Sequence, residues 1–286
     1  MGGKTGTCVG GLPFVNHSAG YSSYLPSFDA NYHLMNNWSV YGQFGKGTVV
    51  PPSSVFDVTG GNVLTTPKPT GVSTYQGGTV VKLKQLTLNA DVYYIKFQNA
   101  YTAIPDSNNA NAFDYVTAGD SISKGFEGEA NIYLTRGLSF YVNGTVGKAN
   151  YVNTGMWVAN TPSNTETFGL TYQQKHFDFG IFDKRVGPMW NDLSLASGGV
   201  ANQVIPIDPF SVTNVYLNYV VRNGSHFDQT KFRLSVNNVF NHLGIVGDQQ
   251  AFTKTATYTP GSGDQLVLLP GRSITLTISP AYSAKR

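Results

Sequence analysis

From Phe126 to Leu134, apolar and polar side chains alternate residue by residue. Phe126, Gly128, Ala130, Ile132 and Leu134 fall on one side, and Glu127, Glu129, Asn131 and Tyr133 on the other. After a break at Thr135-Arg136-Gly137 the alternation resumes. Leu138, Phe140, Val142, Gly144 and Val146 now oppose Ser139, Tyr141, Asn143, Thr145 and Gly147. A period of two belongs to a β-strand with one apolar and one polar face, and two such runs joined by a tight break form a hairpin. A helix would scatter the same apolar side chains around its axis. The Gly-rich, β-branched and aromatic content also disfavours a helix.

The pattern recurs along the chain and predicts eleven strands: 21–34, 38–47, 74–84, 87–104, 113–135, 138–153, 164–174, 177–190, 210–222, 230–243 and 266–282. The turns after 34, 84, 135, 174 and 222 are short. The connections 48–73, 105–112, 154–163, 191–209 and 244–265 are mostly long and rich in Gly, Pro, Asn and Ser. Short turns on one side and long loops on the other is the plan of an outer-membrane barrel, and a soluble sandwich has no reason to sort its loops this way. The strands exceed the usual 5–6 residues, as membrane strands must, and 87–104 and 113–135 are long enough to project beyond a bilayer.

Composition fits that reading. Charged residues make 12% of the 286, against roughly 25% in an ordinary soluble domain, while 41% are hydrophobic, 13% are aromatic and 32 are Gly. Such a chain is not a charge-driven disordered one, and its Gly has no collagen period. No apolar stretch approaches the roughly 18 residues of a spanning helix. Aromatics near the predicted strand ends (Tyr21, Tyr24, Trp38, Tyr41, Phe97, Tyr101, Phe113, Tyr115, Tyr151, Trp157, Phe177 and Trp190) suit belts at two membrane interfaces. The apolar faces, including Ile132, Leu134, Leu138, Phe140, Val142, Leu217 and Tyr219, would meet lipid. Glu127, Glu129, Asn131, Asn143, Thr145 and Asn218 would line a lumen.

Other classes find little support. A net charge of +3 without a Lys/Arg cluster argues against nucleic acid as a partner. Cys8 is the only cysteine, which excludes an intramolecular disulfide or a thiolate cage. His17, His33, His176, His226 and His242 are too scattered for a zincin pattern. Gly3-Lys4-Thr5 echoes the end of a phosphate-binding loop but lacks its upstream glycine and strand. The first residues form neither a signal peptide nor a myristoylation site. No Gly-x-Ser-x-Gly elbow occurs, so no catalytic residue is assigned, and no cofactor or metal is expected. Glu127 and Glu129 form a carboxylate pair that suits acid-base work or a hard cation, but a polar lumen face already explains them. Asp178, Asp183, Lys184 and Arg185 read as lumen and rim charges. Loops 48–73 and 191–209 read as solvated loops before ligand contacts.

Four segments, in this order, resemble the C-terminal half of the barrel of a TonB-dependent outer-membrane receptor: Asn36 to Gly47 with Val50-Pro51-Pro52, Leu88 to Asn99, Ala118 to Glu129, and Leu234-Ser235-Val236-Asn237-Asn238-Val239-Phe240-Asn241-His242. The end resembles that family's closing strand, with Gly271 opening it, Ile274, Leu276 and Ile278 on one face and Tyr282 in the terminal aromatic slot. Pro280 and the tail 283–286 depart from the pattern. The expected division is a loop or partial strand over 1–20, a receptor-like barrel part over 21–282 and an extension over 283–286. The resemblance implies an all-β transmembrane antiparallel barrel of about 22 strands, of which this chain supplies about half, without the plug. It further implies contact with outer-membrane lipid, recognition of the last strand by the barrel-assembly machinery, and coupling to the TonB complex in a full-length receptor only. The imported ligand would be scarce, such as a ferric siderophore, cobalamin or an oligosaccharide. Two alternatives make different predictions. A complete small pore or adhesin barrel pairs its first and last strands, and a soluble sandwich or β-helix needs no detergent.

Overall fold

The computed structural model describes residues 4–7, 13–16, 20–51, 68–105, 113–192, 204–222, 229–249 and 265–281. They are all-β. The strands are β1 (Lys4–Thr7), β2 (Pro13–Asn16), β3 (Ser27–Met35), β4 (Trp38–Val49), β5 (Thr70–Lys82), β6 (Leu86–Pro105), β7 (Phe113–Thr135), β8 (Leu138–Tyr151) and β9 (Asn164–Gln174). There follow β10 (Phe177–Val186), β11 (Met189–Asp192), β12 (Val204–Ile207), β13 (Phe210–Arg222), β14 (Gln229–Asn237), β15 (Ile245–Gln249), β16 (Gln265–Leu268) and β17 (Ser273–Ala281).

Eleven strands form one sheet in the order β17-β14-β13-β10-β9-β8-β7-β6-β5-β4-β3, and the other six form the three two-stranded hairpins β1-β2, β11-β12 and β15-β16. Every pairing is antiparallel between chain neighbours once the small hairpins are set aside, so the main sheet is a meander. The turn between β7 and β8 shows how the sequence fixes it. Arg136 and Gly137 both take positive φ, 43° and 90°, as the tight hairpin turn matching strand twist requires. A side chain on Gly137 would run into the Gln173 carbonyl.

Register sorts the two faces as the alternation predicts. Phe126, Ala130 and Ile132 pair with Val146, Val142 and Phe140, while Glu127, Glu129 and Asn131 pair with Thr145, Asn143 and Tyr141. Among the described residues no second layer covers the apolar face. Among the described residues only Ala149, Met189 and Ile207 are buried apolar ones, whereas Val92, Phe126, Val146, Phe168, Ile274 and Leu276 are exposed. A sandwich buries such side chains between two sheets, so the soluble alternative does not hold. The sheet does not close on itself among the described residues. Strands β3 and β17 are its edges, and every residue in both is exposed.

Four predicted strands are bounded differently, the first of them 21–34, which begins only at Ser27. The run 177–190 stops at Val186 before Gly187-Pro188, and Met189–Asp192 joins Val204–Ile207 in a separate hairpin. The run 230–243 is Gln229–Asn237, because Asn238 and Asn241 turn the chain with φ of 50° and 52°. The buried Asn238 amide donates to the carbonyls of His242 and Pro270 at 2.8 and 2.9 Å, and its backbone N–H donates to Asn214 at 3.0 Å. Asn241 accepts the Arg272 backbone N–H at 2.8 Å. The Asn-Val-Phe-Asn signature therefore knots together the long-loop ends of β13, β14 and β17. The run 266–282 splits at this knot into β16 and β17. Pro280 lies within β17 opposite Thr230, on an edge strand where sheets tolerate proline. Tyr282, the tail 283–286 and Cys8 lie outside the described residues. Of residues 1–20, β1 and β2 pair as a hairpin.

Candidate functional site

The polar face of β4 to β9 carries two adjacent rows. One reads Tyr41, Gly78, Asp91, Glu127, Thr145 and Thr165 across six strands in register. The next reads Ser39, Val80, Asn89, Glu129, Asn143 and Thr167. Between them opens a polar cleft of about 140 Å³, lined by Asn89, Asp91, Glu127, Glu129, Asn143 and Thr145 with neighbouring glycines and Thr165. Three carboxylates thus face one shallow space with amides and hydroxyls around them.

Hydroxyl donors hold the carboxylates. Tyr41 donates to Asp91 at 3.1 Å and lies 3.4 Å from Asn89. Tyr141 donates to Glu129 at 3.2 Å, and Thr145 to Glu127 at 3.4 Å. Asp91 is only 6% exposed, and its second oxygen has no partner. Glycine makes the Tyr41 bond possible. A Cβ on Gly78 would lie 2.6 Å from both the Tyr41 hydroxyl and the Asp91 Cβ, so only a bare backbone lets the ring lie across β5. Tyr93 likewise crosses Gly125 towards Gly147, and the Phe182 and Tyr216 rings cross Gly169 and Gly180. The inward aromatics Tyr141, Phe182 and Tyr216 continue this as a chain with ring centroids 6.2 Å apart.

A second polar group sits further round the sheet. Asp178 accepts from Tyr216 at 3.1 Å and from Asn218 at 3.0 Å. Asn218 is buried, with its amide oxygen unpartnered. Among the described residues no group of His, Cys, Asp and Glu is placed to hold a metal ion.

Of the residues expected in a lumen, Glu127, Glu129, Asn143 and Thr145 meet at the cleft. Asn131 shares their face one row nearer the short turns, beside Tyr141, and does not line it. Asn218 belongs to the Asp178 group. Asp183 and Arg185 do not face inward: they pair with Phe168 and Glu166, on the apolar side near the long-loop end. Asp183 there accepts the Thr213 hydroxyl at 2.6 Å. Tyr41 and Phe97 share the polar face by register, whereas Trp38 and Phe177 lie on the apolar face at the short-turn end. Asp91, Asn89 and Thr165 line the cleft and Tyr41 reaches it through Asp91, and the sequence alone placed none of the four there. The alternation of Thr87, Asn89, Asp91 and Tyr93 against Leu88, Ala90, Val92 and Tyr94 carried the signal for the first two.

Comparison with known proteins decides the family. The family model described as TonB dependent receptor-like, beta-barrel, matches residues 3–239. The chain belongs to that family. Its fold is similar to the copper transporter OprC, with 16% identity, a TM-score of 0.68, and 90% of this chain covering 39% of that one. It is similar to the ferric yersiniabactin uptake receptor FyuA from Yersinia pestis, with 17% identity, a TM-score of 0.67, and 95% of this chain covering 39% of that one. It is also similar to the ferric-catecholate import receptor Fiu from E. coli K12, at 20% identity, TM-score 0.62, and coverages of 95% and 37%. No curated protein sequence matches. The chain therefore spans about two-fifths of the length of these receptors, as part of an outer-membrane barrel. Among the described residues no helix is long and apolar enough to cross a membrane, and strands do the crossing in this family.

Proposed function

We propose that this chain supplies wall, lumen lining and outer loops to an energy-coupled outer-membrane receptor that imports a scarce ligand such as a ferric siderophore. The observation that carries the reading is the polar inward face of a receptor-family sheet, with its carboxylates held by Tyr and Thr hydroxyls around an open cleft. Glu127, Glu129, Asn131 and Asn143 are the ligand-facing residues on this reading. Residues 21–282 form the receptor-like part, 1–20 lead into it and 283–286 extend it. Gly271, the β17 residues Ile274, Leu276 and Ile278, and the Tyr282 that follows them in sequence are the closing segment presented to the barrel-assembly machinery. The TonB complex acts on the full-length receptor, through a plug.

The test is uptake in cells whose only receptor of this class contains this barrel segment, offered ferric catecholate, ferric yersiniabactin or copper. Accumulation of one of them that stops when TonB is deleted or the proton gradient collapsed is the expected result. Ligand entry unaffected by either treatment overturns energy coupling and favours the passive pore. The pore alternative also requires β3 and β17 to pair, and in this structure both are sheet edges.

A further inference from the structure

The outward face changes chemistry abruptly towards its long-loop end. Val92, Phe126 and Val146 stand in register on β6, β7 and β8 and are 59%, 51% and 63% exposed. The next outward row towards the long loops holds Tyr94, Lys124 and Lys148. Phe44 and Tyr75 carry that row on to β4, with ring centroids 5.0 Å apart and Tyr75 6.2 Å from Tyr94. One row further, Lys46 and Lys96 flank Ser73. Four lysines thus share one face over five neighbouring strands, a strip about 20 Å wide at ordinary strand spacing. Lys96 pairs with Asp120 at 3.6 Å, the one ion pair among the described residues. Lys46, Lys124 and Lys148 are exposed.

Lys124 and Lys148 are directly opposite each other across β7 and β8. Like charges in that position weaken a strand pair, and an anion shared between them reverses the effect. We propose that Lys124 and Lys148, flanked by Lys46 and Lys96, bind the phosphate groups of a lipid in the membrane leaflet on the long-loop side. The occupant follows from the step in chemistry. It must place negative charge at the lysine row and hydrocarbon two residues away, against Val92, Phe126 and Val146. A lipid carrying phosphate on its headgroup does both, and a free phosphate does only the first. Lysine stems lie along apolar surface while their ammonium groups reach the headgroups, and Tyr75 and Tyr94 fit the same interface. The proposal rests on the reading that the apolar face meets lipid.

The test uses the full chain in dodecyl maltoside micelles doped with diphosphorylated lipid A. It is compared with a Lys124→Gln/Lys148→Gln chain and a Lys124→Arg/Lys148→Arg chain. All carry Cys8→Ser and Val146→Cys, labelled with an environment-sensitive fluorophore. The Gln chain should bind lipid A roughly tenfold more weakly, and the Arg chain like the parent. Dephosphorylated lipid A should bind parent and Gln chains equally weakly. Equal lipid A binding by parent and Gln chains, with the Val146 probe in an apolar setting, overturns the lysine site alone. A probe reporting water overturns the facing on which the site rests. Inorganic phosphate binding the parent as tightly as lipid A overturns the lipid as its source.

Discussion

Val142 and Asn143 are neighbours on one strand, yet they belong to two different surfaces. Between the short turns and the lysine row, the outward surface of β6 to β8 is built from side chains that need no partner: Leu88, Ala130 and Val142 stand in one register row, Val92, Phe126 and Val146 in another. The inward surface is built from side chains that do need partners. Asp91 takes the Tyr41 hydroxyl, Glu129 the Tyr141 hydroxyl and Glu127 the Thr145 hydroxyl. The backbone is common to both, so the contrast comes from the side chains alone. Away from its long-loop end the outward surface is tolerant of shape and intolerant of charge, and the inward one is the reverse.

Charge separates the two surfaces most strongly. Val142→Lys should cost about 2–4 kcal/mol of folding stability in lipid vesicles, while Asn143→Lys should stay within about 0.5 kcal/mol, both read by urea unfolding. The next effect tests the inward partners. Tyr41→Phe strips a donor from the buried Asp91 carboxylate and should cost about 1.5–3 kcal/mol in the same assay. Shape comes third. Gly125→Ala pushes a methyl into the Val146 carbonyl beneath Tyr93 and should cost about 1–3 kcal/mol, whereas Gly42, on the outward face, has nothing within 4 Å of an added Cβ. Gly42→Ala should therefore fall within about 0.5 kcal/mol of the parent. Smallest is a gain: Lys148→Glu places opposite charges across β7 and β8 and should add about 0.2–1 kcal/mol in phosphate-free detergent.

The two faces were legible in the sequence because a strand's period is two, whatever its neighbours do. Glu127, Glu129, Asn143 and Thr145 could be placed together for that reason, since one tight hairpin joins their strands. Asp91 and Tyr41 could not. Their bond joins residues 50 apart in sequence across an intervening glycine, and nothing local announces it. Strand ends failed where side chains bind backbone. Asn238 ends β14 by capturing the His242 and Pro270 carbonyls, one of them 32 residues away. Strands β12 and β15 hid in segments whose Gly and Pro content reads as loop, while β11 and β16 were merged into the neighbouring strand runs 177–190 and 266–282.

On the proposed facing, the apolar side chains meet lipid and the polar ones do not. Cys8 is the only cysteine, so with Cys8→Ser a single cysteine can be walked along β8 from Leu138 to Gly147 and labelled with a fluorophore. In vesicles containing brominated lipid, quenching should alternate with period two, strong at Leu138, Phe140, Val142, Gly144 and Val146 and weak at Ser139, Tyr141, Asn143, Thr145 and Gly147. Uniform quenching along the strand, or an alternation of opposite phase, would contradict the account.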